Sequence, residues 1–133
     1  MTETPSNIDD FNRGAALVLE RLYQAFPREV YVKVEELDPG AADQRLTTYA
    51  ATMDFLLREG FIHGRKIADG RAPYRAVLTS KGLAVLNSVP DALKERTTLG
   101  TRIGAALKTG TKEAVNSAIS QVISVAAAIY LPR

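Results

Sequence analysis

The stretch from residue 56 to residue 86 leaves this chain the least freedom. Leu56-Leu57-Arg58-Glu59-Gly60-Phe61-Ile62 describes a helix that must stop and become a strand. Gly60 supplies the left-handed residue on which helices end, and Phe61 and Ile62 belong to the residue types that fill pleated, half-buried surfaces. Asp69-Gly70, inside Ala68-Asp69-Gly70-Arg71-Ala72-Pro73, is a hairpin signal, so residues 61–68 and 74–78 are predicted as two strands joined by a basic tip. In Leu78-Thr79-Ser80-Lys81-Gly82-Leu83-Ala84-Val85-Leu86, Thr79 closes the second strand and caps a helix over 80–89, which Pro90 ends.

Upstream, Ile8, Phe11, Ala15, Val18, Leu19 and Leu22 recur with a helical period, with Asp9 and Asp10 well placed for the dipole of the first turn. Phe26-Pro27 stops that helix, because the residue before a proline is pushed out of the α region. Val30, Val32 and Val34 alternate as in a short strand, and Asp38-Pro39-Gly40 is a turn. The cluster Glu35-Glu36-Asp38 reads as a solvated helix start rather than a magnesium or catalytic site. Residues 41–59 form the strongest predicted helix, with Leu46, Ala50, Met53 and Leu57 as its apolar stripe, widened by Phe55 and Leu56. Gln44, Arg45, Thr47, Thr48 and Thr52 lie off that stripe. Beyond Pro90 a helical turn or two is predicted over 91–96. An amphipathic helix carrying Leu99, Ile103, Ala106 and Leu107 follows over 97–110, interrupted by Gly100 and Gly104. Thr111 then caps a final helix over 112–131.

The predicted order is helix, short strand, short turn-helix, long helix, hairpin, helix. With the two phrases at 56–62 and 78–86, residues 8–90 resemble the winged helix-turn-helix domains of bacterial proteins. The resemblance implies an α+β fold: a winged helix domain over 8–90 and a helical C-terminal extension over 91–133. It also implies a DNA-binding protein, a regulator of transcription, with double-stranded DNA as partner. The exposed face of helix 41–59 would enter the major groove through Gln44, Arg45, Thr47, Thr48 and Thr52, with Arg45 suited to guanine edges and Gln44 to adenine. The wing, 63–75, would add phosphate or minor-groove contacts through Arg65, Lys66, Arg71 and Arg75.

The charge pattern bears on this in both directions. The formal net charge is +2. Residues 58–81 carry Arg58, Arg65, Lys66, Arg71, Arg75 and Lys81 against Glu59 and Asp69, a local excess of +4, whereas residues 1–57 are net −5. Asp43 and Asp54 flank the expected recognition face and would repel phosphate. The competing reading is therefore a protein-interaction adaptor on the same scaffold, without DNA binding. His63 has no second His and no Cys to join it, and is expected as a strand-surface residue rather than a metal ligand.

Residues 114–132 form a run of 19 without charge. Val115, Ala118, Val122, Val125 and Ile129 make a heptad-like seam, with Ile119 beside it. Such a helix can pack on its own domain, on the same helix of a second copy, or in a membrane, with which the adaptor reading would associate through this helix. The homodimer is the preferred expectation, since paired DNA half-sites call for two recognition helices.

With no Cys and a single His, thiolate metal sites, disulfides and His-pair catalysis are excluded. No glycine-rich phosphate loop or nucleophile elbow is present. The expectation is a non-enzyme without cofactor or metal. The opening residues Met1-Thr2-Glu3-Thr4-Pro5-Ser6 lack the basic and apolar regions of a secretory signal, so a cytoplasmic location is expected.

Overall fold

A computed structural model describes residues 6–68, 73–90 and 97–130. The architecture is α+β: six helices and one three-stranded antiparallel sheet among the described residues. The elements are α1 (Ser6–Ala25), β1 (Val30–Val32), α2 (Val34–Leu37), α3 (Asp43–Arg58), β2 (Ile62–Lys66), β3 (Tyr74–Leu78), α4 (Ser80–Leu86), α5 (Leu99–Thr109) and α6 (Lys112–Tyr130). Every element expected from the sequence within the described residues is present. The predicted turn at 91–96 and the tip residues Asp69, Gly70 and Arg71 lie outside the described residues.

α3 ends where the sequence requires: Gly60 adopts φ +80° and Phe61 leaves the helix. Thr79 binds the two phrases together. Its hydroxyl donates to the carbonyl of Gly60 at 2.6 Å and accepts from the amide of Gly82 at 2.9 Å, while its own amide donates to the carbonyl of Phe61 at 3.1 Å. One side chain thus joins the end of α3 to the start of α4.

β3 is the central strand, in the order β1-β3-β2. Its register sets Val30, Tyr31 and Val32 against Ala76, Arg75 and Tyr74 on one side, and Ile62 to Lys66 against Leu78 to Tyr74 on the other. Tyr74, Ala76 and Leu78 point inward and are buried, together with Val32 and Ile62. Side chains alternate along a strand, so Tyr31, Arg75, Val77, Arg65 and His63 fall on the outer face.

The core lies between α1, α3 and the inner face of the sheet, and it does not end at Pro90. Leu99, Ile103 and Ala106 of α5, with Val115, Ala118, Ile119, Val122 and Ala126 of α6, belong to the same buried cluster as Leu19, Leu22 and Tyr49. The C-terminal extension is therefore part of the body of the fold and closes over α1. This corrects the expectation of a homodimer seam. Val115, Ala118, Ile119 and Val122 are buried within their own chain, with Ile119 at 0% exposure, and cannot also form a face for a second copy. Val125 is half-buried, and only Ile129, 51% exposed, stands clear. The physical reason is that α1 is packed on more than one side: Gly14 meets the Tyr49 ring of α3, while Asn12 donates to Asn116 of α6 and the Tyr23 ring lies on Gly100 of α5. No helix among the described residues is long and apolar enough to cross a membrane.

Gly100 and Gly104 do not interrupt α5, which runs without a break. At Gly100 the ring of Tyr23 occupies the space a Cβ would need, so the glycine serves the packing of α5 on α1. The Tyr23 hydroxyl then donates to Asn87 at 2.7 Å, and Thr98 caps α5 by accepting from the amide of Thr101 at 3.1 Å.

Candidate nucleic-acid interface

The residues singled out for DNA contact fall into three surroundings. The first is the outer face of the sheet. Register places Tyr31, Arg75 and Arg65 in one row across β1, β3 and β2. The guanidinium of Arg75 lies over the Tyr31 ring, 5.1 Å from its centroid, with a carboxylate oxygen of Glu29 at 3.6 Å. Arg65 stands directly opposite Arg75, and among the described residues no ion pair holds it. Like charges facing each other across a ladder destabilise a sheet, and Glu29 offsets Arg75 alone, so Arg65 is left without an anion among the described residues. His63 stands exposed opposite Val77, the strand-surface position expected.

Lys66 does not join this row. It falls on the inner side, opposite Tyr74, where its ammonium lies over the Tyr74 ring at 5.4 Å from the centroid. The Tyr74 hydroxyl donates to Asp54 of α3 at 2.7 Å, and burial followed by this bond pushes the phenol well above its ordinary range. Of the four wing cations expected, Arg65 and Arg75 are brought together, Lys66 is turned toward α3, and Arg71 lies outside the described residues.

The second surrounding is the N-terminal half of α3. Gln44 is exposed. Thr47 and Thr48 donate their hydroxyls back to the carbonyls of Asp43 and Gln44, at 3.1 and 3.2 Å. Thr52 is a correction: it is 2% exposed and donates to the carbonyl of Thr48 at 2.7 Å, so it cannot reach a base edge. The reason is that the buried stripe of α3 runs through Tyr49, Thr52, Met53 and Leu56, turned by about a quarter of the circumference from the stripe read in the sequence. Leu46, Ala50 and Leu57, expected at its centre, are only half-buried.

Arg45 belongs to a third surrounding, a mixed-charge cleft of about 380 Å³ lined by α1, α3, the turn after α2 and the start of α6. Its Nε donates to Asp10 at 3.1 Å, and its Nη1 lies 3.7 Å from Asp38. Asp38 is the hub. Arg13 donates to both of its oxygens at 3.0 and 3.2 Å, and the Tyr49 hydroxyl donates to it at 2.7 Å. The Arg13 hydrogen bonds, outweighing the cost of burial, hold the Asp38 carboxyl below its usual range. Burial, with the bond to Asp38 behind it, raises the Tyr49 phenol well above its own. Across the cleft, Lys112 lies 3.4 Å from Asp9, and Asn116 donates to Asp9 at 2.9 Å while accepting from Asn12 at 3.0 Å. Asp10 and Asp9, near the start of α1, thus tie α3 and α6 to it. Arg45 faces α6 within this cleft and is apart from the arginine row of the sheet.

Sequence reasoning missed one further feature. Ile8, Phe11, Ala51 and Phe55 line an apolar groove of about 430 Å³ between α1 and α3. Phe11 meets Phe55 edge to face at 5.3 Å between centroids, and Ile8 is 42% exposed. Ile8 and Phe11 keep the helical period of the core stripe, so spacing alone could not separate groove from core. Against this geometry, no protein-family model, curated protein sequence or solved structure matches the chain.

Proposed function

We propose that this chain is a DNA-binding protein of the winged-helix type whose phosphate contacts come from the sheet face of its wing. The order α1-β1-α2-α3-β2-β3, with β3 central, supports that architecture. The observation that carries the reading is the placement of Arg65 against Arg75 on a solvent-facing ladder, with one half-exposed Glu29 as the acid beside them. Such a pair costs stability in the free protein and is relieved by a polyanion. Gln44 at the exposed start of α3 remains a candidate for base contact. Arg45 contributes only after leaving Asp10 and Asp38, so the wing supplies most of the electrostatic affinity.

The test is fluorescence anisotropy with a labelled DNA duplex across a salt series. The expected outcome is binding at low salt that weakens steeply as salt rises, with the double variant Arg65→Ala/Arg75→Ala flattening the log–log slope by about 2. Absence of binding at low salt, or a double variant that binds like the parent, overturns the reading.

A second reading, a protein-interaction adaptor, is favoured by the groove of Ile8, Phe11, Ala51 and Phe55 beside α3, an apolar feature on a surface meant for DNA. It predicts that the parent chain shows no salt-dependent DNA binding and that Ile8→Glu removes a contact with a protein partner.

A further inference from the structure

The row on the outer sheet face contains more than cations. Tyr31 is 59% exposed, the most exposed of the large apolar side chains among the described residues. Its position follows from register: Val30 and Val32 turn inward, and alternation sets the tyrosine between them outward. The same sheet buries an aromatic ring, Tyr74, on its inner side, so the outer tyrosine is not left there for want of an apolar face. Arg75 lies over the ring and holds it in place, which lowers the ordering cost of anything that stacks on it. Ile67, 50% exposed just after β2, continues the side that carries His63 and Arg65.

Ring and guanidinium thus lie 5.1 Å apart, and the second guanidinium belongs to the next strand, whose backbone runs about 4.8 Å away. One exposed ring followed by two cations along an open surface suits a ligand with a flat face and neighbouring negative charges. Duplex DNA keeps its base faces stacked inside, so a wing gripping a duplex leaves the ring unused. A single strand presents both parts together, and base–aromatic stacking tolerates any sequence because every base has a π-face.

We infer that the outer sheet face is a base-stacking platform for single-stranded DNA, with an unpaired base on Tyr31 and the adjoining phosphates on Arg75 and Arg65. This rests on the DNA-binding reading and names the form of DNA that the same surface prefers. Glu29 is exchanged for phosphate as Arg75 engages the strand.

The experiment compares the full chain on three labelled probes: an oligothymidylate of about a dozen nucleotides, an abasic strand with the same number of phosphates, and polyglutamate of equal charge. The expected result is that the intact strand binds about tenfold more tightly than the abasic one, and that Tyr31→Ala abolishes the difference while Tyr31→Phe keeps it. The chain has no tryptophan, so Tyr31→Trp adds a single, selectively excitable indole, whose emission should be quenched by the intact strand and not by the abasic one. Equal affinity for intact and abasic strands overturns the stacking platform and leaves phosphate binding standing. The platform is also overturned if Tyr31→Ala weakens both strands alike, or if polyglutamate binds as well as the intact strand. Failure of both strands to bind, together with failure of the duplex in the salt series above, removes the DNA-binding reading along with it.

Discussion

The Thr79 hydroxyl reaches the carbonyl of Gly60 at 2.6 Å while accepting from the amide of Gly82 at 2.9 Å, so one oxygen satisfies backbone groups at the end of α3 and at the start of α4. Removing it uncaps a helix and also leaves the half-buried Gly60 carbonyl short of a donor. Loss of a cap alone costs about 1 kcal/mol, and a buried group left unsatisfied adds a similar amount. Thr79→Ala should therefore lower stability by about 2 kcal/mol in urea denaturation, while Thr79→Ser, which keeps the oxygen, should recover most of it. A Thr79→Ala midpoint equal to the parent's would show that the bridge contributes nothing.

Asp38 gives the fold an acid limit. Its carboxyl is held below the ordinary range chiefly by the Arg13 hydrogen bonds. A group depressed in the folded state contributes stability that is present in full above its unfolded value, about pH 4, and is lost as pH falls through the lower folded value. Denaturation midpoints should thus decline below about pH 4, and Asp38→Asn should be less stable at neutral pH but flatter across that window. An unchanged acid slope in Asp38→Asn would assign the decline to other carboxylates.

Because α6 closes the core of its own chain, its buried seam should behave as a core and not as an interface. Ile119→Ala should cost about 3 kcal/mol, within the usual range for truncating a buried isoleucine, with a midpoint independent of protein concentration. Ile129→Ala, at the exposed end of the same seam, should shift stability by less than about 0.5 kcal/mol. A midpoint that rises with protein concentration would show instead that this helix is stabilised by a second copy.

Where the local chemistry is complete within a few residues, the sequence could be read. Gly60, Thr79, Thr111 and the alternation of Tyr74, Ala76 and Leu78 each carry their own instruction, and the structure follows them; Thr111 accepts from the amide of Ala114 at 3.3 Å as a cap should. The reading failed where burial depends on distant partners. Thr52 looked like polar surface on α3, yet it is buried and satisfies its hydroxyl on its own helix, and Tyr49 beside it is buried with its hydroxyl on Asp38 from the turn after α2. Arg45 looked free because Asp10 and Asp38 lie 35 and 7 positions away, on other elements. The heptad seam of α6 looked open because the apolar back of α1 is hidden within a helix whose other side is apolar as well. At the candidate site, the place of Tyr31 beside Arg75 depends on a strand register joining segments more than 40 residues apart, which alternation alone does not supply.

Arg45 and Arg65 carry the same charge and differ in their surroundings, and that difference is measurable. Arg45 is shared between Asp10 and Asp38, so a phosphate has to compete with two carboxylates for it. Arg65 faces another arginine and has no such competitor among the described residues. If the wing provides the phosphate contacts, Arg65→Ala should reduce the salt slope of DNA binding by about 1, and Arg45→Ala by much less. Stability should move the opposite way: Arg45→Ala loosens the cleft that ties α3 to α1, while Arg65→Ala relieves a like-charge pair and leaves the midpoint unchanged or slightly raised. Anisotropy across a salt series, paired with thermal denaturation of the same two variants, reads both. A larger loss of DNA binding for Arg45→Ala than for Arg65→Ala would move the contact surface from the sheet to α3.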